Sequence, residues 1–258
     1  MLGKLLKHEW IATVRRYALF YLVLAAVTVI AAVMHALPVD NIIFNLGEGA
    51  ILVLYVITVI GVVFCSTAMG VIRFYKNMVS DEGYLTFTLP AKVEELVLAK
   101  FIVALLWQII TVVLSAASLF LVFVPGHIEM NQLSVVISQL SDQFGVMVPV
   151  FFAMLLFSLM YQILTYYLSI AIGQLFGTYK IVGAVVAYCA ISFVVELALM
   201  VVMLGAMVII GFDKVDAFMS SMNGMAKFYL FSTGWMIILG VVEYFVICHL
   251  LKKKLNLS

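Results

Sequence analysis

Arg73-Phe-Tyr-Lys-Asn-Met-Val-Ser-Asp-Glu-Gly-Tyr-Leu-Thr-Phe-Thr-Leu-Pro-Ala-Lys-Val-Glu-Glu-Leu96 separates two long apolar runs. It carries four of the thirteen acidic residues and three of the fourteen basic ones, in a chain that is only 10% charged. Charge at that density is costly in hydrocarbon, so this stretch belongs in water. The runs on either side have the opposite character. The boundary between them decides the fold: a wet, charged loop joins helices that lie in lipid.

Working outward, the whole chain shares this contrast. Its 258 residues are 66% hydrophobic, with a mean hydropathy of +1.24. A soluble domain is about 45–50% apolar, and one water-soluble core cannot hide this excess. Six apolar runs cover approximately 17–37, 50–72, 97–124, 146–172, 181–211 and 229–251. About 20 residues rising ~1.5 Å each cross ~30 Å of hydrocarbon. Backbone groups in lipid must be satisfied within the segment, so each run is predicted to be helical. Alternation at period two is absent, which argues against a barrel. Residues 1–16 place Leu2, Leu6, Trp10, Thr13 or Val14 and Tyr17 on one side of a helix, opposite Lys4, Lys7, His8 and Arg15. That pattern suits a basic in-plane helix on an anionic membrane surface, with Lys4, Lys7, Trp10 and Arg15 as its contacts. The competing reading is a charged flank that only sets topology. The apolar run after residue 16 is long enough to span and lacks a small-residue cleavage site, so it is predicted to be a retained first span.

Lys and Arg distribution sets the orientation. Twelve of them fall in the N-terminal segment, the 73–100 region, the connection at Lys180 and the tail, against only Lys214 and Lys227 on the opposite side. Both termini are therefore expected to be cytosolic. The predicted fold class is an all-α integral membrane protein: an N-terminal amphipathic in-plane helix plus six transmembrane helices in one domain. The outer connections are short. Residues 211–224 suit a short outer helix or a re-entrant segment, and Gly205 and Gly211 are candidate breaks at the outer end of the fifth run.

The chain lacks the usual signatures of catalysis. No Gly-x-x-x-x-Gly-Lys-Ser/Thr loop occurs, so it cannot hydrolyse ATP by that route. Gly173-Gln-Leu-Phe-Gly-Thr-Tyr-Lys180 has the wrong spacing and reads as a tight turn. His8, His35, His127 and His249 are scattered, with no His-Glu-x-x-His, so no metal site is predicted. Cys65, Cys189 and Cys248 lie in apolar runs and suggest no disulfide framework. Glu94-Glu95 suits a helix's first turn, where acidic groups favour the dipole. Glu196 stands near the middle of the fifth run, where a carboxylate costs about 2.5–3.5 kcal/mol. It therefore marks a candidate translocation pathway, with Ser192 and Thr58, or else bonds to Ser192 or another helix. Glu243, closer to the basic tail, reads better as interfacial or paired within the membrane. In the loop, Ser80-Asp81-Glu82-Gly83 is a cap or turn signal. Tyr84, Leu85, Phe87 and Leu89 then put apolar side chains on a wet segment, as a protein-contact surface or a membrane-lying loop would.

The phrase Phe74-Tyr75-Lys76-Asn77, followed by Asp81-Glu82-Gly83-Tyr84-Leu85-Thr86-Phe87-Thr88-Leu89-Pro90 and a span near Lys100, resembles bacterial ABC transporter permeases of the type-2, exporter-like class. The likeness extends in outline to the whole chain. It implies a permease subunit in the bacterial cell membrane, with no catalytic residues and no cofactor of its own. Mg-ATP would be bound by a separate ATPase subunit. The loop would be a coupling helix, with Ser80, Asp81, Glu82, Gly83, Tyr84, Leu85 and Phe87 meeting that subunit. Residues 1–16 would be the connecting helix. A second permease, identical or paralogous, would complete a dimer about the second and fifth spans. The cargo would be an antimicrobial peptide, a lipid or a drug-like amphiphile. The rival readings are an ion-coupled carrier using Glu196, a membrane enzyme, and a peptide-binding immunity or sensor subunit.

Overall fold

The computed structural model describes residues 2–37, 39, 41–80, 83, 91–123, 138, 145 and 147–253. The apolar runs are helices: α1 (Leu2–Ala36), α2 (Ile42–Met78), α3 (Val93–Phe123), α4 (Met147–Gly173), α5 (Lys180–Ile210), a short α6 (Phe212–Ser220) and α7 (Met222–Lys253). Among the described residues, six of these are long and apolar enough to cross a membrane. The chain is thus all-helical there and compatible with a multi-pass membrane protein. Its surface fits that setting, since Ile42, Ile43, Phe64, Val208 and Ile209 are all largely exposed. An apolar exterior of this extent belongs in lipid.

α1, α2, α3 and α7 are longer than the apolar runs they contain. The 35 residues of α1 are a single helix with no break between residues 16 and 17. At ~1.5 Å per residue, 35 residues reach about 52 Å, well beyond ~30 Å of hydrocarbon. The basic first turns therefore continue the helix that forms the first span. Gly211 ends α5 with a φ of 98°, a backbone that a side chain would disfavour. Gly205 lies inside α5 and does not break it. The 211–224 connection contains the short helix α6.

Helix packing divides the chain into two units, Met1–Gly70 with Leu98–Gln139, and Val71–Val97 with Leu140–Ser258. In the first, α1 buries Thr13, Tyr17, Leu24, Thr28 and Ala31, a stripe at helical spacing. Tyr17, Val103 and Trp107 form one cluster with Leu6, Trp10 and Tyr21; Ala31, Tyr55 and Val122 form another. In the second unit, α4 packs on α5 and α7. Ile163, Leu164, Tyr167 and Leu168 of α4 are buried, as are Ile247, Cys248 and Leu251 of α7. Phe74 stacks on Tyr167 with ring centroids 3.8 Å apart. A 3-10 turn, Gln174–Tyr179, joins α4 to α5, as the Gly173–Lys180 spacing predicts.

Candidate functional site

Polar residues inside apolar helices are rare enough to be followed one by one. In the first unit they form a seam. Trp107 of α3 lies between Trp10 and Tyr17 of α1, with ring centroids 4.2 Å and 4.4 Å away and planes within 8° and 6°. Its Nε1 donates to Thr13 Oγ1 at 2.8 Å. Residues 10, 13 and 17 recur at helical spacing, so one face of α1 presents two rings and a hydroxyl to one indole. The apolar face of residues 2–17 is thus packed on protein, while Lys4, Lys7 and Arg15 are exposed. Further along, Tyr17 Oη donates to the Ser66 carbonyl at 3.0 Å. Ser66 Oγ lies 2.8 Å from Thr111 Oγ1 and donates to Gln108 Oε1 at 3.2 Å. Tyr21 Oη lies 3.0 Å from Thr111 Oγ1, and Tyr55 Oη 2.9 Å from Ser118 Oγ. These hydroxyls and one amide hold helices in register where lipid offers no alternative partner.

The charged loop leaves α2 through a turn in which Gly83 N donates to the Ser80 carbonyl at 2.7 Å. Asp81, Glu82, Tyr84, Leu85 and Phe87 lie outside the described residues. Where the chain re-enters a helix, the start of α3 is tied down. In the first unit Lys100 pairs with Glu9 of α1, both largely buried. In the second, Glu94 pairs with Lys252 of α7, both exposed, and its carbonyl accepts from Tyr244 Oη at 3.1 Å.

The two intramembrane acids differ in setting. Glu196 is exposed on α5 and hydrogen-bonds to neither Ser192, one turn earlier, nor another described residue. Ser192 is half-buried. Thr58 belongs to the first unit and donates to its own helix at the Leu54 carbonyl, 2.8 Å away. Glu243 is 6% exposed, and both its carboxyl oxygens lie within reach of Thr165 Oγ1, at 3.1 and 3.2 Å. This is the intramembrane pairing that the sequence offers for Glu243.

Sequence reasoning passed over the Ser66–Gln108–Thr111 seam and the Glu9–Lys100 pair. Gln108 and Thr111, one turn apart in an otherwise apolar run, were the available signal. Among the described residues, no three His, Cys, Asp or Glu side chains converge to hold a metal ion. Chemically, the assembled groups position helices. Comparison with protein-family models, with curated proteins and with solved structures yields no match.

Proposed function

We propose that the chain is the membrane-spanning permease subunit of an ABC exporter, coupled to a separate ATPase subunit that binds Mg-ATP. The observation that carries this reading is the charged 73–96 stretch between two helices able to span a membrane. Ion pairs that tie the start of α3 to α1 in one unit and to α7 in the other add support. A push on the loop would be passed to the helices rather than absorbed by a slack connection. In this reading both termini are cytosolic, residues 1–16 are the basic connecting segment continuous with the first span, and the membrane is the bacterial cell membrane. Asp81 and Glu82 meet basic groups of the ATPase, and Tyr84, Leu85 and Phe87 fill its groove. ATP closes the nucleotide-binding pair, the docked loops approach each other, and the spans of two permease subunits rock between inward- and outward-facing states. The cargo is an amphiphile: an antimicrobial peptide, a lipid or a drug-like molecule.

The test is a mild-detergent purification from native membranes, with mass spectrometry and an ATPase assay on the eluate. A stoichiometric subunit bearing a nucleotide-binding loop is expected, and it is lost when residues 78–88 are replaced. A single species without ATPase activity would sink the proposal. A second reading, an ion-coupled carrier, draws on Glu196, an acid without a hydrogen-bonding partner on an apolar helix. Flux that follows a proton or sodium gradient and ignores ATP would favour it.

A further inference from the structure

α6 packs on both α5 and α7 at the end of α7 remote from Lys252 and Lys253, and a cavity lies between the three helices. Its volume is about 390 Å³, within the range of small-ligand sites. Val202 and Met203 of α5, Val215 and Phe218 of α6, and Phe228 and Phe231 of α7 give it apolar walls. Val215, Phe218 and Met219 recur at i, i+3 and i+4, so α6 turns one apolar face inward. The walls hold two charged groups, Lys214 and Lys227. Both lysines are exposed, and neither pairs with an acid. Asp213 and Asp216 stand one and two residues from Lys214, spacings that point side chains away from each other on a helix.

α6 is firmly seated. Ser221 Oγ donates to the Phe218 carbonyl at 2.8 Å and accepts from Gly224 N at 3.0 Å, which joins the end of α6 to the first turn of α7. At Gly224 a Cβ would stand 1.7 Å from the Phe218 carbonyl oxygen, so only glycine permits this approach.

An apolar cavity with two unneutralised cations selects its occupant. A small anion would leave the walls wet, and a neutral lipid would leave both ammonium groups without a counter-charge. A molecule with a hydrocarbon chain and an anionic head satisfies both features, and lysines reach from apolar surface to an interface on flexible stems. We propose that this cavity holds one acyl chain of an anionic phospholipid from the surrounding bilayer, with its phosphate held by Lys214 and Lys227. The site depends on the residues that line this cavity and stands independently of the transport reading.

The test uses the purified full chain, equilibrated with equimolar dioleoyl-phosphatidylglycerol and dioleoyl-phosphatidylcholine and read by native mass spectrometry. Two basic contacts predict about thirtyfold preferential retention of the phosphatidylglycerol. Lys214→Gln with Lys227→Gln should bring the ratio close to one, whereas Lys214→Arg with Lys227→Arg should keep it. Ala206→Trp, which fills the cavity from α5, should lower retention of both lipids. Both lysines are exposed, so the Gln variant should fold, and its elution profile checks this. Equal retention of the two lipids by the unmodified chain would overturn the proposal. So would a preference that survives the Gln variant, because it would belong to other basic groups such as Lys252 and Lys253.

Discussion

Glu9 and Lys100 sit 91 positions apart in sequence, and their side chains are 16% and 6% exposed. Glu94 and Lys252 form an ion pair of the same chemistry at 39% and 48% exposure. Burial separates their energetics. Removing one member of a buried pair takes a counter-charge from the other where water cannot replace it, at up to about 3–5 kcal/mol. An exposed pair contributes at most about 1 kcal/mol, because water and salt screen it. Glu9→Ala should therefore lower the detergent melting midpoint, followed by tryptophan fluorescence, far more than Glu94→Ala. Replacing Glu9 and Lys100 together by Leu and Met should restore most of the loss. Equal effects of the two single substitutions would contradict the burial argument. The Trp107 indole illustrates a different residue-scale device. Stacked rings hold it from both sides and Thr13 accepts its N–H, so burying the indole leaves no donor unpaired.

At the scale of elements, close approach matters more than length. α6 has only nine residues, too few to persist as a free helix, and it holds its place by packing on α5 and α7. The tightest point of that packing is Gly224. Gly224→Ala would force the Phe218 carbonyl to move, and overpacking of this kind costs about 1–3 kcal/mol. Hydrogen exchange should then speed up across residues 212–221 while the middle of α4 keeps its protection. Unchanged exchange in α6 would show that the contact with α7 does not hold it in place. α3 is the counter-example. Its most apolar window is 50% buried, against 6% for α5, so half of that stretch of α3 packs on protein while α5 leaves nearly all of its own uncovered.

At the scale of the whole molecule, the proposed permease supplies helices and a handle, and its ATPase partner supplies the engine. In the transport reading, energy enters through a partner and is spent on moving spans. Asp81→Ala with Glu82→Ala should leave expression and helix content unchanged, since neither acid lies in an apolar run, while abolishing transport-linked ATPase stimulation in reconstituted vesicles. Full stimulation with both acids removed would detach the loop from any coupling role.

Composition and hydropathy determined the class of this protein, the six long helices and the tight turn at Gly173–Lys180, because a membrane demands about 20 apolar residues and closed backbone hydrogen bonds wherever it is crossed. The charges marked the ends of the apolar runs for the same reason, while α1 and α2 continue as helices through them. Which face of each helix meets protein could not be read from uniformly apolar runs. Lipid tails are as apolar as a leucine side chain, so the pattern that betrays a core in water is missing. Only tertiary structure decided that Trp10 belongs to Trp107 rather than to the membrane surface, and that Glu243 turns toward Thr165 while Glu196 turns outward. It also joined Lys214 and Lys227, thirteen positions apart, at one cavity. Such pairings depend on how helices cross, and crossing is set by the shapes of many side chains at once.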